Sequence, residues 1–87
     1  MRQLFITRQF KKDVARIPRS IRTRGDEIIL KLRKDALNST LSLKKLAKVS
    51  PTAYRVRIGH YRLIFSFTKT SLTLHRFHHR KDIYRKL

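Results

Sequence analysis

Residues 54–67 read YRVRIGHYRLIFSF, and the order of polar and apolar side chains along them decides the architecture. From Tyr54 to Ile58 apolar and basic residues alternate, the period of a strand with one face buried and the other wet. Gly59 and His60 supply a turn. The return run, Tyr61 to Phe67, puts Leu63, Phe65 and Phe67 on one side and Arg62, Ile64 and Ser66 on the other, because successive strand side chains point to opposite faces. The two runs form a hairpin whose apolar face needs a cover.

Downstream, Lys69 to Ser71 turns the chain and Ser71 to Phe77 reads as a third strand through Leu72 and Leu74, before the ending HHRKDIYRKL. Upstream, a β-prone run from about Arg2 to Ile6 sets Leu4 and Ile6 against Phe5. Thr7 is a candidate N-cap for a helix on which Phe10, Val14 and Ile17 recur at helical spacing. Pro18 breaks that helix, and Ile21, Ile28, Ile29 and Leu32 mark a second one ending around Asp35 to Asn38. Ala36 to Thr52 carries Asn38, Ser39, Thr40 and Ser42, then Leu43, Leu46 and Ala47 among lysines, and is read as a long connection with an apolar anchor, closed by Pro51. The order is β-α-α-β-β-β. It predicts an α+β fold with a two-helix hairpin packed on one face of a mainly antiparallel, twisted sheet. No repeat is visible, and two Pro and two Gly are too few for a linker, so residues 1–87 are read as a single domain.

Charge narrows the function. Lys and Arg number 23 against 5 Asp plus Glu, a formal net charge of +18. Such an imbalance costs free energy through self-repulsion and points to a polyanion or an acidic partner. An apolar content of 40%, with five Phe and three Tyr, is that of a folded protein, so the charge coats a globule and is not a disordered arm. The absence of Cys excludes disulfides and thiolate metal sites and fits a reducing compartment. MRQLFITRQFKKD lacks a signal-peptide core, and no apolar run approaches the ~18 residues of a membrane span. A soluble, cytoplasmic protein with no membrane partner is expected.

Two constellations carry chemistry. Arg55 and Arg57 share one face of a strand, and the turn at Gly59 brings Arg62 across from them. Guanidinium suits phosphate because its planar fork donates paired hydrogen bonds and stays charged. The bland alternative is the solvated outer face of a sheet, and the shortage of matching carboxylates weighs against it. The second constellation is His78, His79, Arg80 and Tyr84. Imidazole exchanges protons near neutral pH and a phenol can position or relay one. Beside arginines this inventory suits RNA cleavage, in which the 2′-hydroxyl attacks the adjacent phosphate. Adjacent strand histidines point to opposite faces, so at most one of His78 and His79 should face the arginines. His75, His78, His79 and Asp82 show no metal-ligand spacing, and neither a metal nor a small-molecule cofactor is expected. Phe65 and Phe67 share the core parity with Leu63, leaving Tyr54 or Tyr84 to stack on bases. Lys44, Lys45 and Lys48, with Arg80 and Arg85 of the tail, read as RNA-binding cations.

The stretches Tyr54 to Gly59, Tyr61 to Phe65 and His79 to Tyr84 resemble the RelE/ParE superfamily of toxins, with its Y-R-[VI]-R-x-G strand, a following Y-R-[LIV]-[IV]-[YF] strand and an H-R-[RK]-[DE]-[VI]-Y ending. Phe10, Lys11, Lys12, the Pro18 break, Leu43 and Leu46 also fit, so the resemblance spans nearly the whole chain. It implies an α+β toxin neutralised by a small acidic antitoxin and, in the RelE branch, ribosome-dependent cleavage of messenger RNA. Arg55 and Arg57 resemble the basic pair of that family's second strand, Arg62 the arginine of the third, and Tyr84 the tail tyrosine. Where some relatives carry a catalytic arginine, this chain has His78 or His79 and then Arg80. Other relatives pair a histidine with a glutamate base, but no Glu follows Glu27 here. The expected function is a ribosome-dependent endoribonuclease of a type II toxin–antitoxin system. The alternatives are a ParE-like inhibitor of DNA gyrase and a non-catalytic RNA-binding module.

Overall fold

A computed structural model describes residues 1–38, 40–41, 43–46 and 52–80. Its elements are β1 (Gln3–Ile6), α1 (Arg8–Val14), α2 (Arg19–Lys34), β2 (Leu43–Leu46), β3 (Ala53–Ile58), β4 (Tyr61–Phe67) and β5 (Ser71–His79). They form one sheet in the order β1-β5-β4-β3-β2. β1 runs parallel to β5 and the other pairs are antiparallel, so the α+β class and the mainly antiparallel sheet are as expected.

One strand is added. Within the stretch read as a connection, Leu43–Leu46 pairs with β3, Leu43 opposite Val56 and Leu46 opposite Ala53. The reason it escapes a pattern search is that its two leucines serve opposite faces: Leu43 packs on the main core and Leu46 on a small cluster of Ala53 and Ile64. Apolar-basic-basic-apolar is therefore a strand with one half-buried leucine and one exposed lysine on each face, not an alternating one. Its pairing also shields the outer edge of β3, whose backbone groups would otherwise lie open.

Thr7 caps α1 as expected, its Oγ1 accepting from Phe10 N at 3.1 Å. The same hydroxyl donates to the His75 carbonyl at 3.0 Å, and Thr7 N donates to Leu74 O at 3.2 Å. These bonds start α1 where β1 stops, alongside the continuing edge of β5. The helix is shorter than its apolar spacing suggests: Ile17 lies beyond Val14, in a tight turn closed by Arg16 N to Asp13 O and Ile17 N to Val14 O. Pro18 then precedes α2. Apolar residues of both helices and of the sheet face carrying Val56, Ile58, Leu63, Phe65, Leu72, Leu74 and Phe77 make one core. No helix among the described residues is long and apolar enough to cross a membrane.

The register of β5 contains an irregularity on which the site depends. Phe65 faces Leu74, but Ile64 faces Arg76, so His75 is an extra residue in the ladder. A bulge of this kind changes the phase of the strand. Leu72 and Leu74 point to the core before it, and Phe77 does so after it. Arg76 and His78 are thereby turned to the face away from the helices.

Candidate active site

That second face carries the cations in rows. Arg57 lies opposite Arg62, and Arg62 opposite His78. In the neighbouring row Lys44 faces Arg55, Arg55 faces Ile64, and Ile64 faces Arg76. Arg55, Arg57 and Arg62 thus share one face across two strands, joined by Lys44, Arg76 and His78. Their settings differ. Arg57 is exposed and Arg55 half-buried, whereas Arg62 is only 4% exposed. Its Nη1 donates to the carbonyls of Tyr61 at 3.0 Å and Gly59 at 3.3 Å, within the β3–β4 turn. The hairpin therefore fixes Arg62 while Arg57 stays open to a ligand.

At the edge of β5, α1 delivers a carboxylate. Asp13 is 8% exposed, and both its oxygens are used. Oδ2 accepts from Arg76 Nε at 2.9 Å and from the Phe77 backbone N–H at 2.9 Å. Oδ1 accepts from Arg76 Nη2 at 3.1 Å and lies 2.9 Å from His78 Nε2. Burial by itself would raise the Asp13 pKa, but the Arg76 hydrogen bond, the Phe77 amide and the charges of His78 and Arg76 together hold it below the ordinary value. His78 Nε2 also meets Arg76 Nη2. A single ring nitrogen can donate to the carboxylate or, unprotonated, accept from the guanidinium, and not both at once.

His79, one residue on, points to the helix face. It lies edge-on to Tyr61 with centroids 5.3 Å apart, and 6.2 Å from the His60 ring. The two histidines are therefore separated by the sheet, and only His78 joins the arginines. A cavity of about 360 Å³ opens between α1 and the end of β5, with Asp13, Tyr61, Arg76, His78 and His79 in its wall.

Other expected residues are dispersed. Tyr54 sits on the helix face, its ring 5.8 Å from Phe65 and 5.3 Å from Phe67. Strand alternation puts it opposite in sense to Arg55, so the structure does not bring it to the arginine row. Lys44 and Lys45 are both exposed, but only Lys44 is on the arginine side, Lys45 being level with Tyr54. Arg80 is exposed and its backbone N–H donates to His60 O at 2.8 Å. Lys48, Asp82, Tyr84 and Arg85 lie outside the described residues. Among the described residues no three His, Cys, Asp or Glu gather to hold a metal ion. His75 shares a 2.7 Å hydrogen bond with Ser66 Oγ, and burial pushes its pKa below the ordinary imidazole value.

Asp13 and Arg76 are the site residues that sequence reasoning missed. Asp13 had a signal: with Phe10 and Ile17 it occupies the i, i+3, i+7 stripe that faces the core, an odd place for one of 5 acids in a chain of charge +18. Arg76 had a fainter one: the apolar phase slips from Leu72 and Leu74 to Phe77, the spacing of a strand with one extra residue, which leaves Arg76 on the side opposite Phe77.

The family model for the ParE toxin of type II toxin–antitoxin systems, parDE, matches residues 4–84. Among solved structures, the chain is similar to one in the RelB–RelE antitoxin–toxin complex of Methanococcus jannaschii, with TM-score 0.81, 30% identity, 95% of this chain and 98% of that chain covered. It is similar to one in the archaeal RelE–RelB complex of Pyrococcus horikoshii OT3, with TM-score 0.76, 22% identity and coverage of 91% and 94%. A third, in the E. coli DinJ–YafQ complex, has TM-score 0.73, 17% identity and coverage of 97% and 99%. No curated protein matches the sequence.

Proposed function

Because the chain belongs to the ParE toxin family of type II toxin–antitoxin systems, we propose that this toxin cuts messenger RNA on the ribosome, with an acidic antitoxin as the partner that silences it. The observation that carries this reading is the row Arg57–Arg62–His78: two guanidiniums and an imidazole in register across three strands. Phosphate-directed cations beside a proton-exchanging ring are what transesterification of RNA requires.

In the proposed reaction Arg57, with Arg55, binds the scissile phosphate, and Arg62 adds a fixed positive charge behind it. The 2′-oxygen forms a bond to phosphorus and its proton passes to solvent. The bond from phosphorus to the 5′-oxygen breaks, its electron pair stays on that oxygen, and His78 supplies the proton. The products are a 2′,3′-cyclic phosphate and a free 5′-hydroxyl. RNA brings its own nucleophile. Tyr84 is assigned to orienting the nucleotide by the resemblance alone, and the cytoplasm is the expected setting because ribosomes are there.

The test is induction in growing cells followed by mapping of messenger RNA ends. New 5′-hydroxyl ends within translated regions are expected from the parent protein, and Arg57→Ala or His78→Ala should reduce them by about 10²-fold, the scale of a lost charge-stabilising or proton-transfer group. An unchanged pattern of ends would defeat the reading. A second reading, inhibition of DNA gyrase, is favoured by the match to the ParE family model. Purified protein that blocks gyrase supercoiling and leaves translated messages whole would select it.

A further inference from the structure

We propose that Asp13, on α1, is a positioning residue that fixes the His78 ring against the edge of β5 and favours its protonated form. The inference rests on the RNA-cleaving reading and adds to it a residue that neither the resemblance nor the alternation of the strands singles out.

The carboxylate is itself rigidly held. Its Oδ2 takes one bond from the Phe77 amide and one from Arg76 Nε, each at 2.9 Å, so it cannot rotate without breaking a backbone bond. Oδ1 is then presented 2.9 Å from His78 Nε2. A ring nitrogen that carries its proton toward a buried carboxylate is locked in both tautomer and plane. The same contact stabilises the imidazolium, because attraction between the pair is mutual: the charge of His78 helps hold the Asp13 carboxyl ionised. That help is needed. Among the described residues, like charge lies near His78 on several sides: Arg76 on its own strand, Arg62 across on β4, and Lys12 and Arg16 of α1 in the same cavity wall, which Tyr61 and His79 also line. Like charge on those sides works against the imidazolium, and the Asp13 carboxylate works for it. Among the described residues, Asp13 is the one acid in that wall.

A purely structural role for Asp13 is the competing explanation, since it also caps the Phe77 N–H. The two are separated by the isosteric Asp13→Asn in the full-length toxin, assayed on ribosomes programmed with a defined message. The expected result is turnover reduced by about 10²-fold with KM for the programmed ribosome unchanged, and the alkaline limb of the pH–rate profile moved to lower pH. A loss of packing alone would not move that limb. Long-range proton–nitrogen NMR of the parent protein should find the His78 proton on Nε2, whatever the fate of the variant. If folded Asp13→Asn retains the parental rate and limb while His78→Ala is inactive, the inference falls and the RNA-cleaving reading stands. If His78→Ala cuts normally, or the parent protein cuts nothing, both fall. If Asp13→Asn does not fold, a parent spectrum with the neutral ring protonated on Nδ1 overturns the inference.

Discussion

Replacing Gly25 by Ala sets two effects of known size against each other. Gly25 is buried in the middle of α2, and a Cβ there would stand 3.0 Å from Phe77 Cε2 and 3.2 Å from Cζ. Comfortable carbon–carbon contact is about 3.5–4.0 Å, so the ring or the helix must move. Phe77 has little room: it is 2% exposed, with Phe10 stacked on it at 6.0 Å and Tyr61 edge-on at 6.2 Å. Helix propensity gains about 1 kcal/mol on replacing Gly by Ala, whereas overpacking a filled core costs about 1–3 kcal/mol. The balance should be a loss of about 1 kcal/mol. For a domain of this size that lowers Tm by about 4–8 °C. Urea titration measures it directly as a lower midpoint at constant slope. A variant more stable than the parent by about 1 kcal/mol, the full propensity gain, would show that the ring yields freely, and the claim that Phe77 is wedged would be wrong. The consequence reaches the site, because Phe77 N is one of the donors that hold Asp13.

Two further outcomes follow from groups already described. Asp13 titrates below its ordinary value in the folded protein, so the unfolded chain binds the proton more readily and the folded state is stabilised when the carboxyl is ionised. That contribution is complete above the unfolded value of 3.8 and is lost as pH falls through the lower folded value. Urea midpoints should therefore converge for parent and Asp13→Asn as pH is lowered through that range, and a constant gap would contradict the ion-pair account. Gly59 has φ of 61°, and a Cβ there meets nothing nearer than Ile21 Cδ1 at 3.5 Å. Gly59→Ala should lose about 1–2 kcal/mol from backbone strain alone, and Gly59→Asn less, since Asn tolerates the left-handed region. Equal stability of all three would refute that origin.

The hairpin from Tyr54 to Phe67 was legible because its two faces meet different solvents, so period two survives in the sequence. The helices were legible for the same reason, through Phe10, Val14, Ile28 and Leu32. β2 was not, since Leu43 and Leu46 are each half-buried but on opposite sides, and a strand with one apolar anchor on each face has no amphipathic signature. Of the site, the shared face of Arg55, Arg57 and Arg62 follows from alternation and the Gly59 turn. The choice between His78 and His79 does not: it depends on the bulge at His75, which shows only as a slip of the apolar phase from Leu72 and Leu74 to Phe77. Asp13 lies 65 residues from its histidine, and only the parallel placement of β1 beside β5 brings the helix after it within reach. Such pairing is a property of topology, not of any local pattern.

The extra residue at His75 has an all-or-nothing character. Inward and outward assignments from Arg76 onward are inherited together from one insertion, so no gradual change in the backbone could reorient the imidazole while leaving its neighbours in place. Straightening the bulge with the residue kept would exchange the two sides wholesale: Phe77 would face the cations, while Arg76 and His78 would be driven toward the oily interior; deleting His75 itself would leave plain alternation with every later side chain on its present side. A gene encoding this strand can vary the side chains near the site one at a time, but its reading of which side is wet is a single binary setting. Single-residue insertions and deletions beyond the bulge are accordingly the changes that sequence comparison among such toxins would treat as trivial and that chemistry would not forgive.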